Sequence, residues 1–341
     1  PGEKPALWGF TMAASNRSKL SRVGVLTGGG DAPGMNACVR AVVRTALAYD
    51  LDVFGIRRAY AGLVAGDITR LGARDVGGII QKGGTTLQTA RLPEFTEPSL
   101  QRQAVRRLNE HGIEALIVIG GDGSLCGARA LQKLGVAVVG VPASIDNDIW
   151  GTNMSIGVDT AINTILEAID KLRDTASSHQ RAFLIETMGR GNGYLALMGG
   201  ITGGAEVILI PEIELSLEEV KERVEHAYLR GKTHCIVVNS EGASYKTTEI
   251  AEYLKSCEGH DFDVRVTILG HVQRGGRPTG FDRLLATRLG YNAVIRLLNG
   301  ESGIMVALHG REISAVPLEE VVSNTRKANL EYYDMARLLA R

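Results

Sequence analysis

Two apolar runs, Ala115-Leu116-Ile117-Val118-Ile119 and Val136-Ala137-Val138-Val139-Gly140-Val141, flank an interval of helical length. Each opens at its C-terminal end into glycine or proline and then carboxylates. Gly120-Gly121-Asp122-Gly123-Ser124 follows the first, and Pro142-Ala143-Ser144-Ile145-Asp146-Asn147-Asp148 follows the second. Continuous apolar runs of this length suit strands covered on both faces, which is the condition of a parallel sheet. The crevice beyond the carboxyl ends of such strands is where an open α/β sheet binds its ligands.

The rest of the chain repeats this grammar. A strand at Val23 to Leu26 delivers Thr27-Gly28-Gly29-Gly30-Asp31-Ala32-Pro33-Gly34-Met35-Asn36, and a helix periodic through Val39, Val42, Val43, Ala46 and Leu47 follows. Strand, glycine turn and helix N-terminus form a phosphate cradle, because glycines let the backbone approach and the first helical N–H groups are free. The order of residues is neither G-x-G-x-x-G nor a Walker loop ending in G-K-[ST]. A strand at Asp52 to Ile56 leads to Gly62 and Gly66 in a loop. Next, Gly83-Gly84-Thr85-Thr86 with Arg91 reads either as a wrap for a polyanion or as a glycine-rich turn beside a solvated arginine.

Ser99 to Asn109 reads as a surface helix that His111-Gly112 ends, and Trp150 as a packing residue. The longest periodic helix spans Met154 to Thr175. From Ala182 the alternation restarts, with strands at Phe183 to Ile185, Glu206 to Ile210, Cys235 to Asn239 and Arg265 to Leu269, and helices at Tyr194 to Thr202 and Ser216 to Leu229. A helix at Asp282 to Leu298 and a strand at Ile304 to Leu308 return to the first pattern. At 341 residues the size favours two domains. The expected class is α/β, two domains each with a mainly parallel sheet flanked by helices, Rossmann-like, with residues 1–20 a disordered extension.

Lys plus Arg and Asp plus Glu both number 38, so no net field draws the chain to nucleic acid or a membrane surface. No apolar run approaches the ~18 residues of a membrane span. Cys38, Cys126, Cys235 and Cys257 show neither metal-ligand spacing nor disulfide density. They read as cytosolic thiols, which places the protein in the cytoplasm.

Among the polar residues, Asp122 between glycines suits Mg2+ held beside phosphate, or else the cap of the next helix. Asp146 and Asp148, one residue apart, would share a side of an extended segment with Asn147 pointing away. Their repulsion would raise a pKa and leave one of them to accept a hydroxyl proton. Arg91, Arg181, Arg190, Arg265 and Arg274 lie near strand ends or loops and exceed what one phosphate requires.

These segments, together with Met188-Gly189-Arg190 and Gly270-His271-Val272-Gln273-Arg274-Gly275-Gly276, make the chain resemble the ATP-dependent 6-phosphofructokinases of the short bacterial type from Val23 to about Leu330. The resemblance implies the phosphofructokinase fold, with residues 21–156 and about 270–320 binding nucleotide, and 157–269 and about 321–341 binding sugar phosphate. It makes Asp146 the base toward the 1-hydroxyl of fructose 6-phosphate, Asp148 its partner near Mg2+, and Asp122 the metal-associated carboxylate. Gly30, Arg91, Leu92, Gly121, Gly123 and Ser124 match the ATP site, and Arg91 and Arg190 join Ser144 in the catalytic set. Ser144, Met188, Gly189, Arg190, Glu241, His271 and Arg274 match the sugar site, while Arg181 and Arg265 reach the 6-phosphate from a neighbouring subunit of a homotetramer. Arg40, Arg44, Arg173, Glu206, Arg230 and Lys232 match an effector site for ADP or phosphoenolpyruvate.

The chain departs from the family pattern at Gly28, Lys82, Ser144 and Asn153, and Ala73 stands where an arginine is frequent, with Arg74 adjacent. Small residues at Gly123 and Ala143 favour ATP over pyrophosphate, whose users carry aspartate and lysine there. The competing readings are a pyrophosphate-dependent enzyme, a catalytically silent phosphate-binding subunit, and a kinase of another small hydroxyl substrate.

Overall fold

A computed structural model describes residues 20–177, 181–230, 232, 234–257 and 263–340; the extension expected at the N-terminus lies outside the described residues apart from Leu20. The chain runs β1 (Arg22–Thr27), α1 (Met35–Ala48), β2 (Asp52–Ile56), α2 (Ala59–Ala65), β3 (Ile68–Leu71), α3 (Pro98–Glu110), β4 (Ala115–Gly120), α4 (Asp122–Lys133) and β5 (Ala137–Pro142). It continues through α5 (Val158–Ser177), β6 (Arg181–Thr187), α6 (Tyr194–Thr202), β7 (Val207–Leu209), α7 (Leu217–Leu229), β8 (Cys235–Ser240), α8 (Thr247–Ser256) and β9 (Asp263–Ile268). It ends with α9 (Gly280–Leu298), β10 (Ile304–His309), β11 (Glu312–Pro317), α10 (Leu318–Ser323) and α11 (Leu330–Leu339).

The strands form a seven-stranded sheet, β11-β10-β5-β4-β1-β2-β3, and a four-stranded sheet, β7-β8-β6-β9. Only β3 and β11, at the two edges of the larger sheet, run antiparallel. All six residues of β4 are buried, as a strand with helices on both faces requires. Val25, Ile117 and Val139 from the large sheet share one core cluster with Ile165 of α5, Leu289 of α9, and Ile185 and Val238 of the small sheet.

Register fixes where the chemistry falls. Thr27 pairs with Ile119 and Gly120 with Pro142, so β1, β4 and β5 end level. In the small sheet Thr187 pairs with Ser240 and Glu186 with Ile268, so β6 and β8 end together with β9. The loops leaving both sheets therefore make two rims. A buried carboxylate, Asp282 in the first turn of α9, joins their supports by accepting from the N–H groups of Gly157 (2.9 Å) and Thr160 (2.8 Å) at the start of α5.

Four local expectations change. Gly62 lies inside α2, where a Cβ would come 1.5 Å from the Arg57 carbonyl oxygen; its neighbour Gly66 takes φ 82° and ends the helix. Residues 154–157 stay outside α5, because Gly157 adopts φ 100° and the helix begins only at Val158. Trp150 is 39% exposed and is not a core residue. The elements β3, α8, β11, α10 and α11, each ten residues or shorter, appear only in the structure.

Candidate active site

A cavity of ≈ 470 Å³ opens where the rims face each other, lined by Gly29, Gly30, Asp31, Arg91, Gly121, Asp122, Gly123, Ala143, Ser144, Ile145, Asp146, Asp148, Arg190 and Arg274. The large sheet supplies all of these except Arg190 and Arg274, which come from the loops after β6 and β9. Arg274 reaches so close to the first loop that a Cβ on Gly30 would lie 2.8 Å from its Nη1. Glycine at this position leaves room for the guanidinium to come close to the backbone.

The acids are arranged for chemistry rather than for stability. Asp146 is 5% exposed, and its Oδ1 has no hydrogen-bond partner among the described residues. Burial, then the charge of Asp148, pushes its carboxyl up to about 6, while Arg190 and Arg274 pull the other way. Ser144 Oγ donates to Asp148 Oδ1 at 2.9 Å. The segment is not extended as expected: Asn147 takes φ 51°, so the two carboxylates share the wall through a turn.

Asp122 is the first residue of α4, whose cap position is Gly121, so the capping reading does not apply. Its Oδ1 also lacks a partner among the described residues, and burial followed by the charge of Asp148 raises its carboxyl to about 6. Clustered acids with orphaned oxygens fit a hard cation. No group of three or more His, Cys, Asp or Glu side chains among the described residues forms a metal cage. A hard cation at Asp122 would therefore need further ligands from water or phosphate.

On the opposite rim Glu241 Oε1 accepts from the N–H groups of Gly189 (3.2 Å) and Arg190 (3.0 Å), fixing a loop in which Gly189 has φ 148° and Arg190 φ 49°. Met188 N–H donates to Oε1 of Gln273 (3.3 Å), a fully buried residue that ties the loop after β6 to the one after β9. Gln273 was visible in the motif Gly270 to Gly276 but carried no signal of this role. His271 is exposed on the same turn and does not line the cavity. Arg265 lies on β9, paired with Asp263 at 3.0 Å and away from the cavity; the side chain of Arg181 lies outside the described residues.

A second cavity of ≈ 490 Å³ adjoins the first and shares Gly29, Arg91 and Gly123 with it. Its walls are Ala59, Tyr60, Ala90, Leu92, Pro93, Phe95, Ser124, Gly127 and Ala130, with Thr96, Gln101 and Cys126. Tyr60 and Phe95 stack with centroids 4.2 Å apart, and Tyr60 OH donates to the Ser124 carbonyl at 2.5 Å. Sequence reasoning found Leu92 and Ser124 here but missed the aromatic pair, because Tyr60 on α2 and Phe95 in the short helical segment Pro93–Thr96 share no spacing. A Cβ on Gly28 would come 2.5 Å from Ser124 Oγ, so in this chain the Ser124 hydroxyl occupies the space that a serine at position 28 would need.

Behind these walls Asn36, at the start of α1, donates through Nδ2 to the carbonyls of Lys82 and Gly83 (both 3.1 Å) and accepts from Thr86 N–H (2.7 Å). The Gly83 to Thr86 segment is thereby bound to the glycine loop. Lys82 enters this arrangement through its backbone alone, and Asn153 Oδ1 accepts from Gly310 N–H.

The phosphofructokinase family model matches residues 22–297. The chain belongs to the phosphofructokinase family. It is 49% identical over 322 residues to an ATP-dependent 6-phosphofructokinase of Thermotoga neapolitana, covering 94% of this chain and 100% of that one. It is 47% identical over 321 residues to the protein of the same name from Bacillus cytotoxicus, with the same coverage. The solved phosphofructokinase of Saccharomyces cerevisiae superposes with a TM-score of 0.82 at 37% identity, over 89% of this chain and 45% of the yeast chain. A pyrophosphate-dependent phosphofructokinase of Marinobacter aquaeolei gives 0.82 at 24% identity over 92% of this chain and 86% of that one, a likeness of fold. The α/β architecture with two mainly parallel sheets is the phosphofructokinase fold.

A third cavity, ≈ 280 Å³, lies apart from the first two and is lined by Glu206, Glu222, Arg223, His226, Arg230, Arg337 and Ala340. Glu206 accepts from Lys232 Nζ (2.9 Å) and Ile236 N–H (2.7 Å), and Arg230 donates to the Ala340 carbonyl (3.1 Å). Arg173 donates to the carbonyls of Gly203 and Gly204. Arg40 and Arg44 lie on α1 and do not line this cavity within one chain.

Proposed function

We propose that the chain transfers the γ-phosphoryl group of ATP to the 1-hydroxyl of fructose 6-phosphate, giving fructose 1,6-bisphosphate and ADP, a step of glycolysis. The observation that carries the reading is a buried carboxylate, Asp146, whose Oδ1 has no hydrogen-bond partner among the described residues, facing two arginines in a polar cavity that shares walls with an apolar, aromatic-lined one. The apolar cavity suits a base and the polar one a triphosphate and a sugar phosphate. Residues 21–156 and about 270–320 form the nucleotide half in this reading, and 157–269 with about 321–341 the sugar half.

Asp146 takes the proton from the attacking hydroxyl, and its raised pKa brings its basicity closer to that task. Ser144 and Asp148 orient the acidic loop. Arg91, beside Gly123, and Arg190 balance charge on the transferring group, while Gly30, Gly121 and Ser124 shape the phosphate path. No covalent enzyme intermediate is needed; alignment and electrostatic stabilisation do the work. Asp122 would hold Mg2+, which would neutralise phosphate charge. Arg190 and Arg274 hold the sugar phosphate from the cavity wall, Met188, Gly189 and Glu241 shape the loop that carries Arg190, and His271 would have to turn inward to join them.

Gly123 and Ala143 support ATP over pyrophosphate as donor. A Cβ on Gly123 meets nothing within 4 Å, so a larger side chain would project into the shared space instead of into protein. The reading is tested by a coupled assay of fructose 6-phosphate phosphorylation with Mg2+, comparing ATP with pyrophosphate on one sample. Turnover with ATP is expected; preference for pyrophosphate would overturn the donor, and no turnover with either would favour a silent binding subunit.

The third cavity, with Arg173 and Lys232 nearby, is the proposed effector site for ADP or phosphoenolpyruvate, with Arg40 and Arg44 arriving from a second subunit of a homotetramer. Arg265 and Arg181 would likewise serve a neighbour's 6-phosphate. Arg230→Ala should weaken ADP binding about tenfold in calorimetry, the scale of one charge-assisted contact. Among the described residues no helix is long and apolar enough to cross a membrane, and all four cysteines are free.

A further inference from the structure

Asn147 sits between the two carboxylates of the acidic loop, yet it does not line the cavity that both of them reach. It is 1% exposed and adopts φ 51°, a backbone state that side chains other than those of asparagine and aspartate seldom enter. Its amide spans the loop: Oδ1 accepts from the Ser155 N–H (3.1 Å) and Ser155 Oγ (3.2 Å), and Nδ2 donates to the Asn153 carbonyl (3.3 Å). Ser155, itself fully buried, also approaches the Ser144 carbonyl through Oγ at 2.7 Å. The loop's two limbs, residues 144–148 and 153–155, are therefore closed on each other through the Asn147 amide, with the Ser155 hydroxyl and Arg326 bridging them as well.

We infer that Asn147 is a positioning residue for phosphoryl transfer: its left-handed backbone and buried amide together hold the Asp146 and Asp148 carboxylates on the cavity wall. In an extended chain residues 146 and 148 would share a side by the pleat alone. Here the chain turns between them, so the shared direction depends on Asn147 keeping both its φ and its bonds. Glycine would tolerate the φ but leave the buried Ser155 N–H without an acceptor. Aspartate would keep the acceptor but present an oxygen, with no proton, to the Asn153 carbonyl, and would add a third negative charge to the loop. Asparagine meets all of these demands.

The inference rests on Asp146 being the base, and the test separates the two. Asp146→Asn, Asn147→Gly and Asn147→Ala are compared in steady-state assays of fructose 6-phosphate phosphorylation by ATP, with thermal melts of each protein. Asn147→Gly should lose about 10-fold in kcat and Asn147→Ala about 100-fold, the scale of a displaced catalytic group, with both KM values within about threefold of the parent. Full activity in Asp146→Asn would remove the underlying assignment. An inactive Asp146→Asn beside parental kcat in Asn147→Gly would overturn the positioning role alone. So would a variant whose KM values rise along with a falling melting temperature while kcat holds. If Asn147→Gly does not fold, Asn147→Asp decides, since it tolerates the φ and keeps the acceptor for the Ser155 N–H but loses the donor to the Asn153 carbonyl. A loss of about threefold confined to kcat supports the role, and an unchanged kcat overturns it.

Discussion

Arg190 Nε lies 3.9 Å from Oδ2 of Asp146, and the two residues follow strands of different sheets. One is largely solvent-facing and the other buried, so the pair is a poor contributor to stability. It is a good arrangement for placing a cation beside a base. Replacing Asp146 by asparagine should lower kcat by roughly 10²–10⁴-fold, while fructose 6-phosphate and ATP still bind measurably in equilibrium titrations. Near-normal turnover would take Asp146 out of its role.

The pH dependence follows from the same pair. In its proposed role Asp146 acts only as a carboxylate, and its carboxyl is pushed up to about 6. Activity should therefore be full above that pH and fall as the pH drops through it. A profile of kcat/KM should show an acid limb near 6, where an ordinary aspartate would give one near about 4. Arg190 pulls the Asp146 pKa down, so Arg190→Ala should move the limb to higher pH. A limb that stays in place would mean that another group controls it.

Gly123 borders both cavities, and a Cβ there meets open space. Gly123→Asp should fold with a melting temperature near the parent's. Its carboxylate would meet the donor's phosphates with like charge, raising KM for ATP by about tenfold or more, since such repulsion costs several kcal/mol when poorly screened. An unchanged KM would show that the donor takes another path.

Gly242 makes the opposite case. A Cβ there would lie 1.5 Å from the Arg190 carbonyl oxygen, and neither partner is a side chain that can swing aside. Gly242→Ala should cost about 1–3 kcal/mol of stability and raise KM for fructose 6-phosphate, because the Glu241 and Arg190 loops must part. Gly191→Ala, with nothing within 4 Å of its Cβ, is the matched control and should leave both values alone.

What could be read from the residues and what could not divides along physical lines. The strands at Ala115 and Val136 announce themselves because burial on both faces demands unbroken apolar runs. The loops at their ends follow, since glycines and carboxylates have few other reasons to stand there. The paired register that levels β1, β4 and β5 is long-range and leaves no local mark. The antiparallel edges β3 and β11 are half solvated and carry no unbroken apolar run. Tyr60 and Phe95 meet only after the fold brings their two segments together, so their stacking was invisible. Asn147 misled for a different reason: alternation along an extended chain and a turn at φ 51° both put its neighbours on one side, and only coordinates tell them apart.

The order of strands in the large sheet also sets a timetable for synthesis. β5 is made early, yet its neighbour β10 leaves the ribosome only after every strand of the small sheet has been made. Until then β5 presents an open, apolar edge with unpaired backbone groups, the kind of surface that pairs with other chains. The stretch between β5 and β10 is thus also the interval in which a nascent chain is most exposed to aggregation, and in which a chaperone would have most to protect.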